Sequence, residues 1–222
     1  MKWRIPIALV VFSLVPLIGG VLRLSSIASH SHAAADARFV SSPLPIVLHI
    51  IAATLFSILG AFQLSDELRK RAPRWHRLAG RVLAASGIIA GATGLWMTLA
   101  YDIPVELQGP LTLVTRLVVG VMTVVGVVLA WRAILKRDVP SHEAWMIRAY
   151  ALGQGAGTQV LFLGVPAAFL GGEILGDPRD VLMMASWIFN ALVAEVIIRR
   201  RRQPRTSSVA AASTGSEALR AS

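Results

Sequence analysis

The chain has 222 residues, of which 55% are hydrophobic and 15% charged, with a formal net charge of +10. Its mean hydropathy of +0.64 is higher than a soluble domain with a hydrated surface carries, so the composition predicts an integral membrane protein. The chain contains no cysteine, which excludes disulfides, thiolate metal sites and cysteine nucleophiles.

Six apolar segments are long enough to cross a bilayer as helices. A helix needs about 20 apolar residues to span about 30 Å of hydrocarbon. In chain order, spans one to six cover residues 5–27, 46–64, 78–101, 111–135, 145–170 and 181–198. We therefore predict an all-α, polytopic membrane helix bundle over residues 1–202. The small, polar segment 203–222 is predicted to be a disordered cytoplasmic tail.

The basic residues predict the orientation of the bundle. Lys and Arg are retained on the cytoplasmic side of a membrane, and every connection obeys this rule if both termini lie on that side. Only four basic residues lie elsewhere, with Arg38 and Arg179 in outer segments and Arg23 and Arg116 within spans. We expect a multi-pass protein of the inner, cytoplasmic membrane.

Span one has a second interpretation as a cleaved secretory signal. The basic residues of KWR precede it, and the small residues of AAADA are acceptable to a signal peptidase. Against this, the apolar run is longer than the usual 7 to about 15 residues of a signal and contains Pro6 and Pro16. We expect an uncleaved helix; cleavage would leave five spans and an outer N-terminus.

Span three carries a stripe of small residues on one helix face. Their spacings alternate between four and three, in the series Gly80, Ala84, Gly87, Gly91, Gly94 and Thr98. Such a stripe allows a neighbouring backbone to approach closely. Span five has a comparable group, consisting of Gly153, Ala156, Gly157 and Gly164. We predict that spans three and five are close partners.

Two predicted inner loops resemble each other. Aligning Leu68 with Leu135 lays LRKRAPRWHRLAGR over LKRDVPSHEAWMIR, and the same shift places His49 on Arg116. A duplicated helix-loop-helix unit, with both copies in the same orientation, would produce this match. The alternative is that inner loops are generally basic and often begin with proline. A parallel repeat is therefore one of two interpretations.

The sequence also resembles a known family. HIIAATLFSILGAFQLSDELRKRAPRWHRLAGR, followed after a gap by SHEAWMIRAYAL, is similar to the domain-of-unknown-function 2306 family of predicted bacterial integral-membrane proteins. The shared features are a histidine that opens span two, Gly60 and Gln63 near its end, HRLAGR, and H-x-x-W-M-I-R-x-Y. The resemblance covers roughly residues 45–165, and Glu143 stands where the family usually has a basic residue. It implies a membrane location and no particular reaction.

Two histidines and two arginines stand near the predicted cytoplasmic face. His76 and His142 each lie within a turn of a helix start, and Arg81 and Arg148 lie further along the same helices. If spans three and five are neighbours, these four side chains converge near the head groups, with Trp145 among them. Such a cluster is a candidate site for an anionic ligand or cofactor.

Anchoring is the competing interpretation of the same residues. Interfacial His, Trp and Arg side chains commonly hold helices at the head-group level without binding a ligand. In this interpretation, Arg81 or Arg148 pairs with Glu195 at the inner end of span six, or with lipid phosphate.

Other polar side chains lie within the spans. His49 and Arg116 are at similar depths from the outer side and should face the bundle interior or a wet cavity. Glutamine and asparagine side chains could supply hydrogen-bond partners for His49, the candidates being Gln63, Gln154, Gln159 and Asn190. We therefore expect Gln63 and Gln159 to belong to the same set of intramembrane polar residues.

Three function classes remain open. We expect a non-catalytic membrane scaffold, or a bundle that binds anionic lipid or another small ligand, because the basic inner face suffices for either. Arg116 and the possible repeat suggest a small-anion transporter as an alternative. A b-type haem or quinone protein is a second alternative, in which only His76 and His142 stand at one depth to hold a haem.

The sequence argues against several other activities and partners. No Gly-x-Ser-x-Gly or His-Glu-x-x-His motif is present, so hydrolytic catalysis and a metal-ion site are not expected. No aromatic-plus-basic module indicates nucleic acid, and the positive charge fits anionic head groups instead. Membrane lipids are the expected partners, and a homo-oligomer is compatible with this interpretation.

Overall fold

The computed structural model describes residues 3–29 and 37–203, which are almost entirely helical and contain no strand. The helices are α1 Arg4–Ala28, α2 Ala37–Ser41, α3 Pro43–Gln63, α4 Asp66–Arg71, α5 Pro73–Ala100, α6 Pro110–Leu135, α7 Val139–Gly153, α8 Gly155–Gln159, α9 Val165–Leu170 and α10 Gly176–Arg202. A π-helical segment, Val160–Gly164, joins α8 to α9. The predicted tail lies outside the described residues, except for its first residue.

Five helices are long and apolar enough to cross a membrane. They are α1, α3, α5, α6 and α10, which correspond to spans one to four and six. Span five is divided differently, because α7 ends at Gly153 and the part from Gly155 to Leu170 forms a shorter apolar stretch. The predicted fold class, an all-α membrane bundle, is confirmed.

Glycine and proline account for the division of span five. Glycine lowers helix stability by about 1 kcal/mol relative to alanine, and two glycines flank the break at Gln154. A Cβ at Gly155 would overlap the ring of Trp187 on α10, so close packing requires glycine there. Further along, Pro166 has no N–H to donate to the carbonyl of Phe162, and its ring would clash with that carbonyl in a regular α-helix. Phe162 lies in the π-helical segment.

Four helices form a ring. α3 packs along α5, α5 along α6, and α6 along α7, while α7 returns to contact α3. The centre of the ring is a cluster of buried side chains from all four helices, namely Phe56, Leu83, Ala84, Val127, Ala149 and Tyr150. α1 packs against α3 and α8 outside the ring, and α10 packs against α6, α7 and α8.

The small-residue stripe of α5 is a packing face, but its partners differ from the prediction. A Cβ on Gly87 would lie 2.6 Å from Cε2 of Phe56 on α3 and 3.0 Å from Cγ2 of Val127 on α6. A Cβ on Gly91 would lie 2.7 Å from Cγ2 of Val124 and 3.1 Å from the carbonyl oxygen of Gly120, both on α6. The expected close pairing of spans three and five is wrong, because α5 and α7 stand diagonally in the ring and make few contacts.

The two ends of the bundle differ in charge. The basic end carries α4, the start of α5, the start of α7 and Arg199 to Arg202 of α10; the opposite end is called the far end. The connections from α3 to α5 and from α6 to α7 both lie at the basic end. The structure thus contains two helical hairpins that run in the same direction. That the hairpins arose by duplication stays a prediction.

We expect Gly87→Leu and Gly91→Leu to destabilise the bundle in detergent. Each added side chain would have to displace α3 or α6, and overpacking of this kind costs about 1–3 kcal/mol. Ile88→Leu is the matched control, because Ile88 is 38% exposed on the neighbouring face. Thermal melting followed by size-exclusion chromatography measures the effect. Equal melting temperatures for all three variants would contradict the packing described for α5.

Candidate functional site

Two cavities stand out in the described part of the bundle, one toward each end, and α8 and α10 help to line the one at the far end. The basic-end cavity has a volume of about 500 Å³ and the far-end cavity about 450 Å³. Phe56 lines the far-end cavity, whereas Leu83, Val127 and Tyr150 line the basic-end cavity, and these four side chains pack in one cluster. Both volumes fall in the range of small-molecule sites, about 300–1,000 Å³. These two cavities are therefore separate compartments of ligand size.

The basic-end cavity brings together three of the residues that the sequence analysis assigned to the predicted cytoplasmic face. His76 and Arg81 reach it from α5, and His142 reaches it from the first turn of α7. Gln63, predicted as an intramembrane polar residue, also lines this cavity, and its Nε2 donates a hydrogen bond to the backbone carbonyl of His76 at 3.2 Å. The structure thus places two imidazole side chains in the lining of one cavity.

The hydrogen bond of His142 determines which ring nitrogen is available. Its Nδ1 lies 3.0 Å from the carbonyl oxygen of Ala130 on α6. A carbonyl only accepts, so Nδ1 is the donor and Nε2 of the neutral ring keeps a free lone pair. For His76, no hydrogen bond to either ring nitrogen occurs among residues 3–29 and 37–203. The cavity thus contains two imidazoles with nitrogen atoms free to bind a ligand.

Unpaired positive charge lies at the opening of this cavity. Arg77 and Arg81 are exposed there, and neither has a carboxylate within ion-pair distance in the described part of the chain. The other two arginines of the lining have carboxylate partners, in the pairs Arg69–Asp66 and Arg201–Glu143. An anion at the opening would therefore meet two free guanidinium groups.

The inner wall of the same cavity is apolar. Leu83, Val127 and Tyr150 are between 1% and 5% exposed, and Met146 and Trp131 extend the apolar lining. Tyr150 satisfies its hydroxyl by donating to the Ser57 carbonyl at 2.9 Å, so it presents mainly its ring. Charge and apolar surface are segregated within one compartment.

Arg148 and Trp145 are not part of that compartment. Nε and Nη2 of Arg148 bind the two carboxylate oxygens of Glu195 on α10 at 2.6 and 3.1 Å. The guanidinium carbon also lies 4.8 Å from the centre of the Trp145 ring. This bidentate ion pair is the one that the anchoring interpretation named, and it joins α7 to α10.

The far-end cavity contains the other predicted polar residues: His49, Arg116 and Gln159. Nδ1 of His49 lies 3.0 Å from the Ala90 carbonyl and 3.1 Å from Oγ1 of Thr93. None of the amide side chains that we expected as partners bonds to this ring in the described residues.

Two of those amides form hydrogen bonds with other side chains instead. Ser13 on α1 donates to Oε1 of Gln154 at 3.0 Å, and Thr158 donates to Oδ1 of Asn190 on α10 at 2.7 Å. The prediction that Gln154 and Asn190 could serve His49 is wrong, because Gln154 accepts from α1 and Asn190 accepts from Thr158 on α8.

Positive charge dominates the far-end cavity. Arg116 donates to Oε1 of Gln108, and Arg38 and Arg179 also line the cavity. Asp180 lies close by, but its two oxygens accept from the backbone N–H groups of Leu111 and Thr112 at 2.8 Å each. This carboxylate therefore caps the start of α6, a role that no sequence pattern indicated.

Two further side chains complete the far-end cavity. Nε2 of Gln159 is buried without a hydrogen-bond partner among the described residues. Tyr101, just beyond the end of α5, donates its hydroxyl to the Ser42 carbonyl at 2.7 Å.

Two residues of the basic-end cavity were missed by the sequence analysis. Arg77 lies four residues before Arg81 on α5, so helical spacing alone could have grouped the two arginines. Tyr150 follows Arg148 by two residues and therefore points to a different side of α7, toward Gly60 of α3. The sequence carried no signal for that contact.

Comparison with known proteins supports the membrane assignment. A family model described as "Predicted membrane protein (DUF2306)" matches residues 46–198. No curated protein and no solved structure matches the chain. The matched segment includes His49, His76, Arg116 and His142, and it covers more than half of the sequence. The chain therefore belongs to the domain-of-unknown-function 2306 family of predicted membrane proteins.

Proposed function

We propose that this protein is a non-catalytic bundle of the inner membrane that binds an anionic amphiphile in the basic-end cavity. The observation that carries the proposal is the segregation of charge within that cavity. Arg77 and Arg81 are exposed and unpaired at its opening in the described structure, whereas Leu83 and Val127 form an almost completely buried wall. An anionic group joined to an apolar body fits both surfaces at once.

The energetic terms favour an amphiphile over a simple anion. A free phosphate at Arg77 and Arg81 would leave the apolar wall without a partner, although burial of apolar area contributes about 25 cal/mol per Å². A purely apolar molecule would leave the two guanidinium groups without anionic partners. A phospholipid satisfies both, through charge-assisted hydrogen bonds to its phosphate and contact of an acyl chain with the wall.

The surroundings of the cavity support placement at the cytoplasmic leaflet. Arg199 to Arg202 of α10 and the basic residues of α4 stand at the same end of the bundle. Each Lys or Arg near an anionic surface contributes about 1 kcal/mol of attraction. The distribution of basic residues along the chain favours the same orientation.

The separation of the two cavities favours binding over transport. Phe56 and its neighbours pack between the compartments, so no continuous path joins them in this conformation. A transport cycle would require this layer to open. Binding at the basic end requires no such change.

Replacement of the free arginines tests the proposal. We expect the double variant Arg77→Gln, Arg81→Gln to retain several-fold less phosphatidylglycerol than the parent protein when both are purified in mild detergent and examined by native mass spectrometry. The control is Arg74→Gln, Arg132→Gln, which removes equal charge from exposed positions of α5 and α6 outside the cavity. Equal lipid retention by the two double variants would reject the basic-end cavity as the binding site.

A second experiment tests the proposed orientation. Reporter fusions after positions 72, 138 and 203 should report the cytoplasm, and fusions after positions 105 and 175 should report the opposite side. These positions lie in the connections of the helices or just after α10. A cytoplasmic signal at position 105 or 175 would show that α5, α6 or α10 does not cross the membrane as proposed.

A further inference from the structure

We infer that the basic-end cavity is a haem site in which His76 and His142 are the two axial ligands. This inference rests on the proposed function, because haem is itself an anionic amphiphile: an apolar macrocycle with two propionate groups. It goes further by naming the ligand class and assigning a role to the two imidazoles, which a phospholipid would leave unused.

The state of His142 is the first argument. A histidine that binds metal through one ring nitrogen normally donates its other N–H to a carbonyl or carboxylate, which fixes the ring orientation and raises its basicity. The hydrogen bond from Nδ1 of His142 to the Ala130 carbonyl provides this arrangement. Nε2 is then the nitrogen available to iron.

The position of the two helices is the second argument. α5 and α7 stand diagonally in the ring, and the cavity lies between them at the basic end. Cofactor sites of helix bundles are built from side chains on facing helices. One histidine from each of two facing helices is the arrangement that a doubly ligated haem requires.

The walls of the cavity are the third argument. Trp131, Met146 and Tyr150 add large apolar surfaces to the buried wall, and the volume of about 500 Å³ is within the range that cofactor-sized ligands occupy, about 300–1,000 Å³. Arg77 and Arg81 at the opening suit the two propionates, since guanidinium groups pair well with carboxylates.

The composition of the site distinguishes haem from a bare metal ion. Residues 3–29 and 37–203 contain no group of three or more His, Cys, Asp or Glu side chains able to hold an ion. A metal ion bound by protein alone usually needs three or four such ligands. A porphyrin supplies four nitrogens itself, so that two histidines complete the coordination of iron.

The far-end cavity does not offer the same chemistry. His49 lines it without a second histidine among the described residues, and Arg116 stands in the same cavity. A guanidinium group has no lone pair for iron. The inference therefore concerns the basic-end cavity alone.

Titration of the purified full-length protein with ferric haem tests this inference. We expect one equivalent to give the optical and electron paramagnetic resonance spectra of low-spin iron with two imidazole ligands. His76→Ala and His142→Ala should each convert the bound haem to a high-spin form, and added imidazole should restore the low-spin spectrum. Restoration shows that the variant is folded and lacks only the ligand.

Two further variants separate ligation from other effects. His49→Ala removes a histidine from the far-end cavity and should keep the low-spin spectrum. Arg77→Gln, Arg81→Gln should weaken haem binding by about tenfold or more, the loss expected for charge-assisted hydrogen bonds, yet keep the low-spin spectrum at saturation. The binding of iron-free protoporphyrin should depend on these arginines and not on the two histidines.

The outcomes distinguish the inference from the proposed function. If haem gives the same spectrum with the parent protein, His76→Ala and His142→Ala, the haem inference is overturned. The proposed function survives that result if phosphatidylglycerol retention still depends on Arg77 and Arg81. If phosphatidylglycerol retention is instead independent of Arg77 and Arg81, the proposed function is overturned, whereas a low-spin spectrum that is lost in His76→Ala and His142→Ala still supports the haem inference.

Discussion

The contact between Phe56 and two glycines determines much of this structure. Its ring lies between Gly87 of α5 and Gly153 of α7, and a Cβ on either glycine would approach the ring to 2.6 Å. Phe56 thereby fills the space between two diagonal helices that make few direct contacts. Tyr150 packs its ring against Gly60 of α3 and against Phe56, so that the two aromatic rings form one layer. Because this layer crosses the ring of helices, it separates the basic-end cavity from the far-end cavity.

Hydropathy and helical spacing predicted the parts of the fold that depend on local sequence. The lengths of the apolar segments identified five helices correctly, and the stripe containing Gly87 and Gly91 identified a packing face of α5. The partner of that face was predicted wrongly. A stripe of small residues indicates which side of a helix is packed, but it does not indicate which neighbour packs there. In this structure, α3 and α6 occupy that side of α5.

The candidate site was predicted in part, and the reason is geometric. His76, Arg81 and His142 line one cavity although α5 and α7 are not close neighbours, because a cavity can be lined from both of its sides. Arg148 differs because it faces α10, where Glu195 is available. The tautomer of His142 could not be predicted, since Ala130 belongs to another helix and nothing in its sequence marks its carbonyl as an acceptor.

The π-helical segment Val160–Gly164 changes the phase of the helix that follows it. Such a turn contains one residue more than an α-helical turn, and one residue corresponds to about 100° of rotation. Gly157, before this segment, packs against Phe12 of α1, whereas a Cβ on Gly164 would meet only Val160 of its own turn. A helical wheel drawn continuously through residues 145–170 would therefore assign its second half to the wrong neighbours, and the face of α9 must be determined from its own residues.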